Sequence, residues 1–493
     1  MKQLDTLLKN LDNYELHGSA KAGVSAICFD SRAVNSHLSG EYKPLYVAQH
    51  GEHIDGHLFI EQAIAEGAGT VVCEVLPAML HNTVTYIVTP NAQIALGRLA
   101  SAFYDYPSRK LKVVGITGTN GKTTTVTLLY KLFSDLGYPV GMISTIENKI
   151  CRKSIPATHT TPDAVALNAL LSDMVEAGCE FCFMEVSSHA ICQHRIEGVH
   201  YTGAIFSNIT HDHLDFHKTF AGYIQAKKAF FDALPKEAFV LTNRDDKNGL
   251  VMMQNTKAQI YTYSLQQMAD FKGKLLNNSF EGLQLVINGW EIHGNLCGKF
   301  NAYNILAIYG TAILLGAESE ELLPALSALE SATGRFQLVR NPRGAIAIVD
   351  YAHTPDALKN VLSTIRDISQ NGAEIITVVG CGGDRDALKR SIMAKIACEY
   401  SNKVILTSDN PRTEDPMSIL IAMQKGVPLS FKQNVLTIEN RHEAIKTACM
   451  LLPANGILLV AGKGHETYQE IKGVKHYFND MEEISNLFEN LNL

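Results

Sequence analysis

Residues 113–125 read Val113-Val-Gly-Ile-Thr-Gly-Thr-Asn-Gly-Lys-Thr-Thr-Thr125. A short apolar run leads into a glycine- and threonine-rich turn. A helix-like pattern follows through Val126, Leu128 and Leu129. Strand, loop and helix in this order make an anion site. Gly118 and Gly121 allow backbone conformations that turn successive N–H groups toward one point, and a helix N-terminus adds partial positive charge there. Lys122 has the reach for β- and γ-phosphates, and the Thr123 hydroxyl is placed to ligate Mg²⁺. The spacing departs from the common G-x-x-x-x-G-K form, whose first position is Ile116, with Gly115 one place early. Such a loop serves switches, transport ATPases, kinases and ligases alike, so the reaction must be read elsewhere.

Working outward, Leu111–Ile116, Glu180–Val186, Ala204–Asn208 and Phe239–Thr242 are short, apolar and separated by helix-like segments. That is the pattern of a parallel sheet covered on both faces. A second series, Ala345–Val349, Glu374–Val379, Lys403–Thr407 and Gly456–Val460, begins beyond a hinge-like tract at residues 330–334. Before residue 100, Leu45-Tyr-Val47 and residues 69–73 read as strands and Ile60–Glu66 as helix. The 493 residues therefore predict three α/β units, 1–100, 101–333 and 334–493.

Composition narrows the function. The chain is 46% hydrophobic and carries a formal charge of −7, which excludes a disordered chain and a polyanion-binding surface. No nucleic-acid partner is expected. The first 18 residues lack an apolar core of signal-peptide length, and no uncharged apolar run nears a membrane span, so a cytoplasmic chain without membrane insertion is expected. The ten cysteines are scattered. Cys179 and Cys182 have C-x-x-C spacing in a strand-like stretch that would point them to opposite faces, so buried structural thiols are expected.

Met184-Glu-Val-Ser-Ser-His189 follows one apolar strand, and Ser207-Asn-Ile-Thr-His-Asp-His-Leu-Asp-Phe-His217 follows another. A carboxylate and several histidines thus leave strand ends at the edge where α/β sheets bind ligands. Beside a phosphate loop, they suggest metal ligation.

Gly118-Thr-Asn-Gly-Lys-Thr123, Glu185-Val-Ser-Ser-His189, Asp212-His-Leu-Asp215 and Tyr223-Ile-Gln-Ala-Lys227 occur in the order found in the Mur ligases, and the chain resembles that family. Asp350-Tyr-Ala-His-Thr-Pro355, Gly380-Cys-Gly-Gly-Asp-Arg385, Asp409-Asn-Pro-Arg412 and Gly462-Lys-Gly-His-Glu466 narrow the resemblance to its diaminopimelate-adding MurE type. It runs from Asp30-Ser-Arg32 to Glu466. The implied fold is a small α/β N-terminal domain, a central P-loop parallel-sheet domain and a Rossmann-like C-terminal domain. The implied reaction is ATP-dependent amide formation. Diaminopimelate is joined to the D-Glu side-chain carboxylate of UDP-N-acetylmuramoyl-L-Ala-D-Glu through an acyl phosphate, in peptidoglycan precursor synthesis.

The resemblance also assigns residues. Lys122, Lys227, His213 and Glu185 would carry the catalysis, with Mg²⁺ held by Thr123, Glu185, His213 and Lys227, the last as a carbamate. ATP would lie on Gly118, Thr119, Asn120, Gly121, Lys122, Thr123 and Thr124, with Asn301, Asn304, Arg335, Asp350 and His353 closing over it. The family carries a carboxylate where Gln337 stands, which can keep a hydrogen bond but not a charge. Phe29, Ser31, Glu52, His53 and Ile54 would hold the uridine diphosphate, and His159, Thr160, Thr161, Ser187, Gln193 and Arg195 the muramoyl dipeptide. His159 stands where the family often has asparagine. Arg390, Asp409, Asn410, Pro411, Arg412, Gly462 and Glu466 would take diaminopimelate. A guanidinium at Arg412 suits its second carboxylate and would be left unpaired by lysine. The substrates are thus small molecules, and a monomer is expected. The competing readings are a folylpolyglutamate-synthase-like ligase and a nucleotide-dependent regulatory ATPase.

Overall fold

The structure is a computed structural model describing residues 1–490 apart from 39, 52, 53, 213, 370 and 371, with only the backbone considered at 214 and 215. Glu52, His53 and His213, three of the residues assigned by resemblance, lie outside the described residues.

Three larger sheets organise the described residues. The first has parallel strands Gly23–Cys28, Lys43–Val47, Thr70–Cys73 and Thr85–Val88, with antiparallel edges from Lys2–Gln3 and Glu15–His17. At the N-terminus only Leu4–Leu8 is helix. It buries Leu4, Leu7 and Leu8 while its flanks pair as edge strands.

The second sheet has eleven strands. Its middle is parallel, Val140–Ile143, Phe181–Glu185, Lys112–Thr117, Gly203–Phe206, Phe239–Asn243 and Gln259–Ser264 in that order across the sheet; the four central ones are the expected series, and the outer two are additional. The central strands are buried on both faces, with Val114, Phe183 and Ile205 in one core layer and Val113, Cys182 and Ala204 in the other. Alternation sends neighbouring residues to opposite layers, which is why these runs are continuously apolar. The sheet does not stay parallel at its ends. Residues 147–156 add an antiparallel hairpin on one side, and strands Phe271–Ser279, Gly282–Ile287 and Trp290–Gly294 form a meander on the other. The helix Lys299–Leu314 then packs back across the meander and the helix Lys122–Asp135.

The third sheet runs Gln337–Arg340, Ile346–Asp350, Ile457–Ala461, Ile375–Val379, Lys403–Leu406 and Val435–Thr437, parallel except for the first strand. Behind it lies a fully buried ion pair, Arg441 Nε to Asp480 Oδ1 at 2.8 Å and Nη2 to Oδ2 at 2.7 Å.

All ten cysteines are free thiols. The opposite-face reading of Cys179 and Cys182 does not hold: the strand starts at Phe181, so alternation does not reach Cys179, and both side chains enter the same core layer. They are buried as expected.

Candidate functional site

The parallel register puts Thr117, Glu185 and Phe206 at one edge of the second sheet. Everything that follows these strand ends collects there. Gly118 has φ +152° and Gly121 φ +88°. A Cβ on Gly118 would come within 1.9 Å of Ser207 Oγ, and one on Gly121 within 2.8 Å of Asn304 Oδ1, so glycine is required at both. The loop is cast against the neighbouring strand end. Thr119 N donates to Asn208 O at 2.8 Å and Asn120 N to Asn208 Oδ1 at 3.0 Å. Ser207 Oγ and Asn208 Nδ2 donate to Asn120 O at 2.7 and 3.1 Å. Asn208 carried no separate signal in the sequence.

Two lysines meet at this loop. Lys122 Nζ donates to Gly118 O and Thr119 O, both at 2.9 Å, and Lys227 Nζ donates to Gly118 O at 2.8 Å. Burial lowers the Lys122 pKa, opposed by Glu185 and Asp212. Burial, then the Lys122 charge, pushes Lys227 well below an ordinary lysine. Lys227 and Lys228 could have been an exposed pair on an amphipathic helix. Both are buried instead, Lys227 over the Tyr223 ring and Lys228 paired to Asp232 at 2.7 Å.

Glu185 is 1% exposed. Its Oε1 accepts from Thr145 N at 2.8 Å, and among the described residues its Oε2 is buried without a partner. Thr123 Oγ1, also buried, accepts from Arg335 Nη2 at 3.1 Å. Around Glu185, Thr161 Oγ1 donates to its carbonyl at 2.8 Å and accepts from Ser187 N at 3.1 Å. Arg195 Nη1 donates to Thr161 O at 3.0 Å, and Thr160 Oγ1 accepts from Thr145 Oγ1 at 3.1 Å. Gln193 sits just past the short helix Ser188–Cys192 that Ser187 caps. His159 is exposed nearby, its Nδ1 3.2 Å from Thr158 Oγ1.

Asn301 and Asn304 share a face of Lys299–Leu314, three residues apart, with Asn304 Nδ2 donating to Asn301 Oδ1 at 2.9 Å. The Asn301 amide is otherwise spent on Cys297 O, at 2.8 Å. Gly334 has φ +68°, and its N–H donates to Gln337 Oε1 at 2.9 Å, so the amide at this position does keep a hydrogen bond. Asp350, its carboxyl pushed up by burial, accepts from Phe336 N at 2.7 Å and thereby fixes the segment carrying Arg335. Arg335 lies over the Tyr351 ring. His353 is exposed on the loop after Ile346–Asp350, its Nδ1 2.9 Å from Tyr351 O. Sequence reasoning missed Asp356, whose Oδ2 accepts from Asn120 Nδ2 at 3.0 Å and from Thr210 Oγ1 at 2.8 Å. The signal was there. Thr354-Pro355 opens a helix, which puts Asp356 in its first turn facing the anion loop.

The carboxyl ends of the third sheet gather the remaining set. Asn410 Nδ2 donates to Glu466 Oε2 at 2.7 Å, and Asn410 Oδ1 accepts from Lys463 Nζ at 3.1 Å. Gly462 has φ +115° beside Asp409, whose Oδ2 a Cβ would approach to 2.6 Å. Arg412, with φ +52°, follows Pro411 and donates from Nη1 to Gly383 O at 2.8 Å. Arg390 is buried and pairs with Glu414 at 2.7 Å. The first-sheet residues stand apart from these. Phe29 is half-buried, Ser31 Oγ donates to Gln62 Oε1 at 3.2 Å, and Ile54 is exposed on the loop after the adjacent parallel strand. That loop is braced by Asp55, which accepts from His57 N at 2.9 Å, and by His57 Nε2, which accepts from Glu74 N at 2.9 Å.

Residues 116–312 match the model of the Mur ligase middle domain, and residues 334–464 that of the Mur ligase glutamate ligase domain. The chain belongs to the Mur ligase family. A relative from Cytophaga hutchinsonii, named UDP-N-acetylmuramoyl-L-alanyl-D-glutamate–2,6-diaminopimelate ligase, is 55% identical over 490 residues, covering 99% of each chain. A solved structure of a ligase with the same name is 33% identical with a TM-score of 0.67, covering 95% of this Mur ligase and 96% of that chain. The Mur ligase MurF of Thermotoga maritima, solved with ADP, shares the fold at 17% identity and a TM-score of 0.64, covering 100% and 99%. No helix among the described residues is long and apolar enough to cross a membrane.

Proposed function

We infer that this Mur ligase is an ATP-dependent amide ligase that adds 2,6-diaminopimelate to UDP-N-acetylmuramoyl-L-Ala-D-Glu. The observation that carries the reading is the near-complete overlap with the diaminopimelate ligase of C. hutchinsonii, combined with Arg412 held in place at the third sheet's carboxyl edge. The units then divide the work: residues 1–100 take the UDP-sugar, 101–333 take ATP, and 334–493 take the amino acid. The N-terminal unit and the Asp409-Asn-Pro-Arg412 segment are what a folylpolyglutamate-type ligase would leave unexplained.

In this mechanism the protein positions and neutralises. The N–H groups that open the helix Lys122–Asp135, together with the Lys122 ammonium, hold the β- and γ-phosphates, and Arg335 approaches from the third unit beside Thr123. The γ-phosphoryl group passes to a D-Glu side-chain oxygen, and ADP leaves. The amine of diaminopimelate then attacks the acyl carbon, a C–N bond forms, a proton is lost and inorganic phosphate departs. Lys122 and Arg335 offset the charge that builds during transfer.

The donor set at the sheet edge fits Mg²⁺. Glu185 Oε2 is a buried carboxylate oxygen lacking a partner among the described residues, and the Thr123 hydroxyl is close to the loop, both hard oxygen ligands. Mg²⁺ bound there would neutralise phosphate oxygens. Lys227 as an ammonium would repel a cation, but burial favours its neutral amine. The neutral amine is the form that adds CO₂ and, with loss of a proton, becomes an anionic carbamate.

The test supplies ATP, Mg²⁺ and the UDP-muramoyl dipeptide with either diaminopimelate or lysine, and follows phosphate and amide product. Phosphate release that requires both acceptor and diaminopimelate is expected. Equal turnover with lysine would remove the specificity argument, and acceptor-independent hydrolysis without amide would show a regulatory ATPase instead.

A further inference from the structure

Lys463 follows Gly462 at the end of the strand Ile457–Ala461 and is 0% exposed. Its ammonium sits among acidic and amide groups. Nζ donates to Glu466 Oε2 at 3.0 Å and to Asn410 Oδ1 at 3.1 Å, and lies 3.8 Å from Asp409 Oδ1. Asn410 closes the ring by donating to the same Glu466 Oε2 at 2.7 Å, and its own Oδ1 also accepts from Glu470 N at 2.9 Å. Both Lys463 and Asn410 thus take one oxygen of Glu466. Among the described residues, Oε1 of Glu466 has no hydrogen-bond partner.

A buried lysine is costly unless its charge is answered, and two carboxylates side by side repel each other unless a cation stands between them. Here each problem answers the other. We propose that Lys463 is a positioning residue for the incoming amino acid, pairing the Asp409 and Glu466 carboxylates and leaving Glu466 Oε1 to accept the substrate ammonium. The proposal rests on the ligase reading above and deepens it. Lys463 does not touch the substrate. It acts by keeping Glu466 an acceptor, since a protonated carboxyl would offer the amine a weaker, uncharged partner.

The surroundings give this role a pH signature. Burial and the neighbouring Asp409 raise the Glu466 pKa, and Lys463 opposes both. The other charged or titratable groups facing this pocket are Arg441 behind it and Tyr351, His465 and Tyr468 around it. Burial pushes His465 down to about 3 and Tyr351 well above the ordinary tyrosine value, so neither titrates between pH 6.5 and 9. Without Lys463, Glu466 should hold its proton to higher pH. The amine site would then be impaired at low pH and recover as pH rises.

The experiment is steady-state kinetics of full-length Lys463→Met from pH 6.5 to 9, with diaminopimelate as the varied amine and the wild type measured in parallel at each pH. At pH 7 the KM for diaminopimelate should rise about 10- to 100-fold, the loss of a charge-assisted contact, with the KM for ATP changed less than twofold. The ratio of mutant to wild-type KM should fall as pH rises. In a Glu466→Gln background, adding Lys463→Met should leave no pH-dependent part. Lys463→Gln, which keeps amide donors without charge, tests the same trend should the methionine variant melt early. A KM ratio that is flat with pH in both variants, or equal losses for ATP and diaminopimelate, would overturn the proposal. Absence of amide product from the wild type would instead overturn the ligase reading.

Discussion

Asp356 is the side chain through which the third sheet's helix Pro355–Ile368 grips the anion loop, and replacing it with alanine removes that grip along with its bond to Asn360 Nδ2 of the same helix, at 3.1 Å. One oxygen, Oδ2, accepts from Asn120 Nδ2 and Thr210 Oγ1, at 3.0 and 2.8 Å. Both donors belong to the second sheet's edge. Each is a hydrogen bond to a charged acceptor, worth up to ~3 kcal/mol when dry. Asp356, Asn120 and Thr210 are all half-buried, so about 1 kcal/mol each is the fitting scale. Asp356→Ala should therefore weaken docking of the third unit by about 2 kcal/mol, roughly 30-fold in the closed fraction. The carboxylate also serves its own helix, where a first-turn acid contributes about 0.3–1 kcal/mol. Asp356→Asn separates the two roles, because the amide oxygen still accepts from both donors while the charge is gone. Steady-state turnover at saturating substrates, with ADP-analogue binding as a second readout, should show a large loss for alanine and a loss within about threefold for asparagine. An alanine variant within twofold of wild type would refute the grip, and equal losses for the two variants would show that charge rather than hydrogen bonding matters.

Arg412→Ala should raise the KM for diaminopimelate by about 100-fold, the scale of a lost bidentate ionic contact, with ATP binding kept; unchanged amine kinetics would remove Arg412 from the pocket. Lys227→Ala should abolish turnover, and a short-chain carboxylic acid should restore part of it if an anion is what the site requires. Restoration by a short amine but not by an acid would count for a cationic lysine. Asp480→Ala leaves Arg441 buried and uncompensated, so thermal unfolding of the third unit should begin earlier, on the scale of about 3–5 kcal/mol, and a midpoint unchanged within error would contradict that.

The parallel strands were legible because burial on both faces leaves a continuous apolar run. Residues 111–116 and 374–379, read as strands, differ by about one residue from Lys112–Thr117 and Ile375–Val379. The antiparallel meander over 271–294 was not legible. In Phe271–Ser279 the apolar residues are broken up by Lys272 and Lys274, and the strand ends in two asparagines with a register shift, so it carries no comparable run. In the site, residues whose chemistry is local were readable, as Gly118 and Lys122 show. Lys463 and Lys228 were not: each has an acid three or four places on, Glu466 and Asp232, as an exposed ion pair also would, and nothing along the chain reports the packing that buries them. Asn208 escaped notice for a related reason: its partner in the loop, Asn120, lies 88 residues away.

The bracing of residues 118–121 by Ser207 and Asn208 has a thermodynamic consequence. A glycine-rich turn left to itself must give up about 1–2 kcal/mol of backbone freedom per residue when it settles around a ligand. Here the neighbouring strand end already holds Thr119 through its N–H and Asn120 through both its N–H and its C=O. Nucleotide capture should therefore carry a small ordering penalty at the loop itself, and most of the calorimetric entropy loss should appear when the third unit docks. Removing Asn208 would transfer that penalty back to the phosphate-binding step, making the loop adaptable and its affinity for nucleotide weaker.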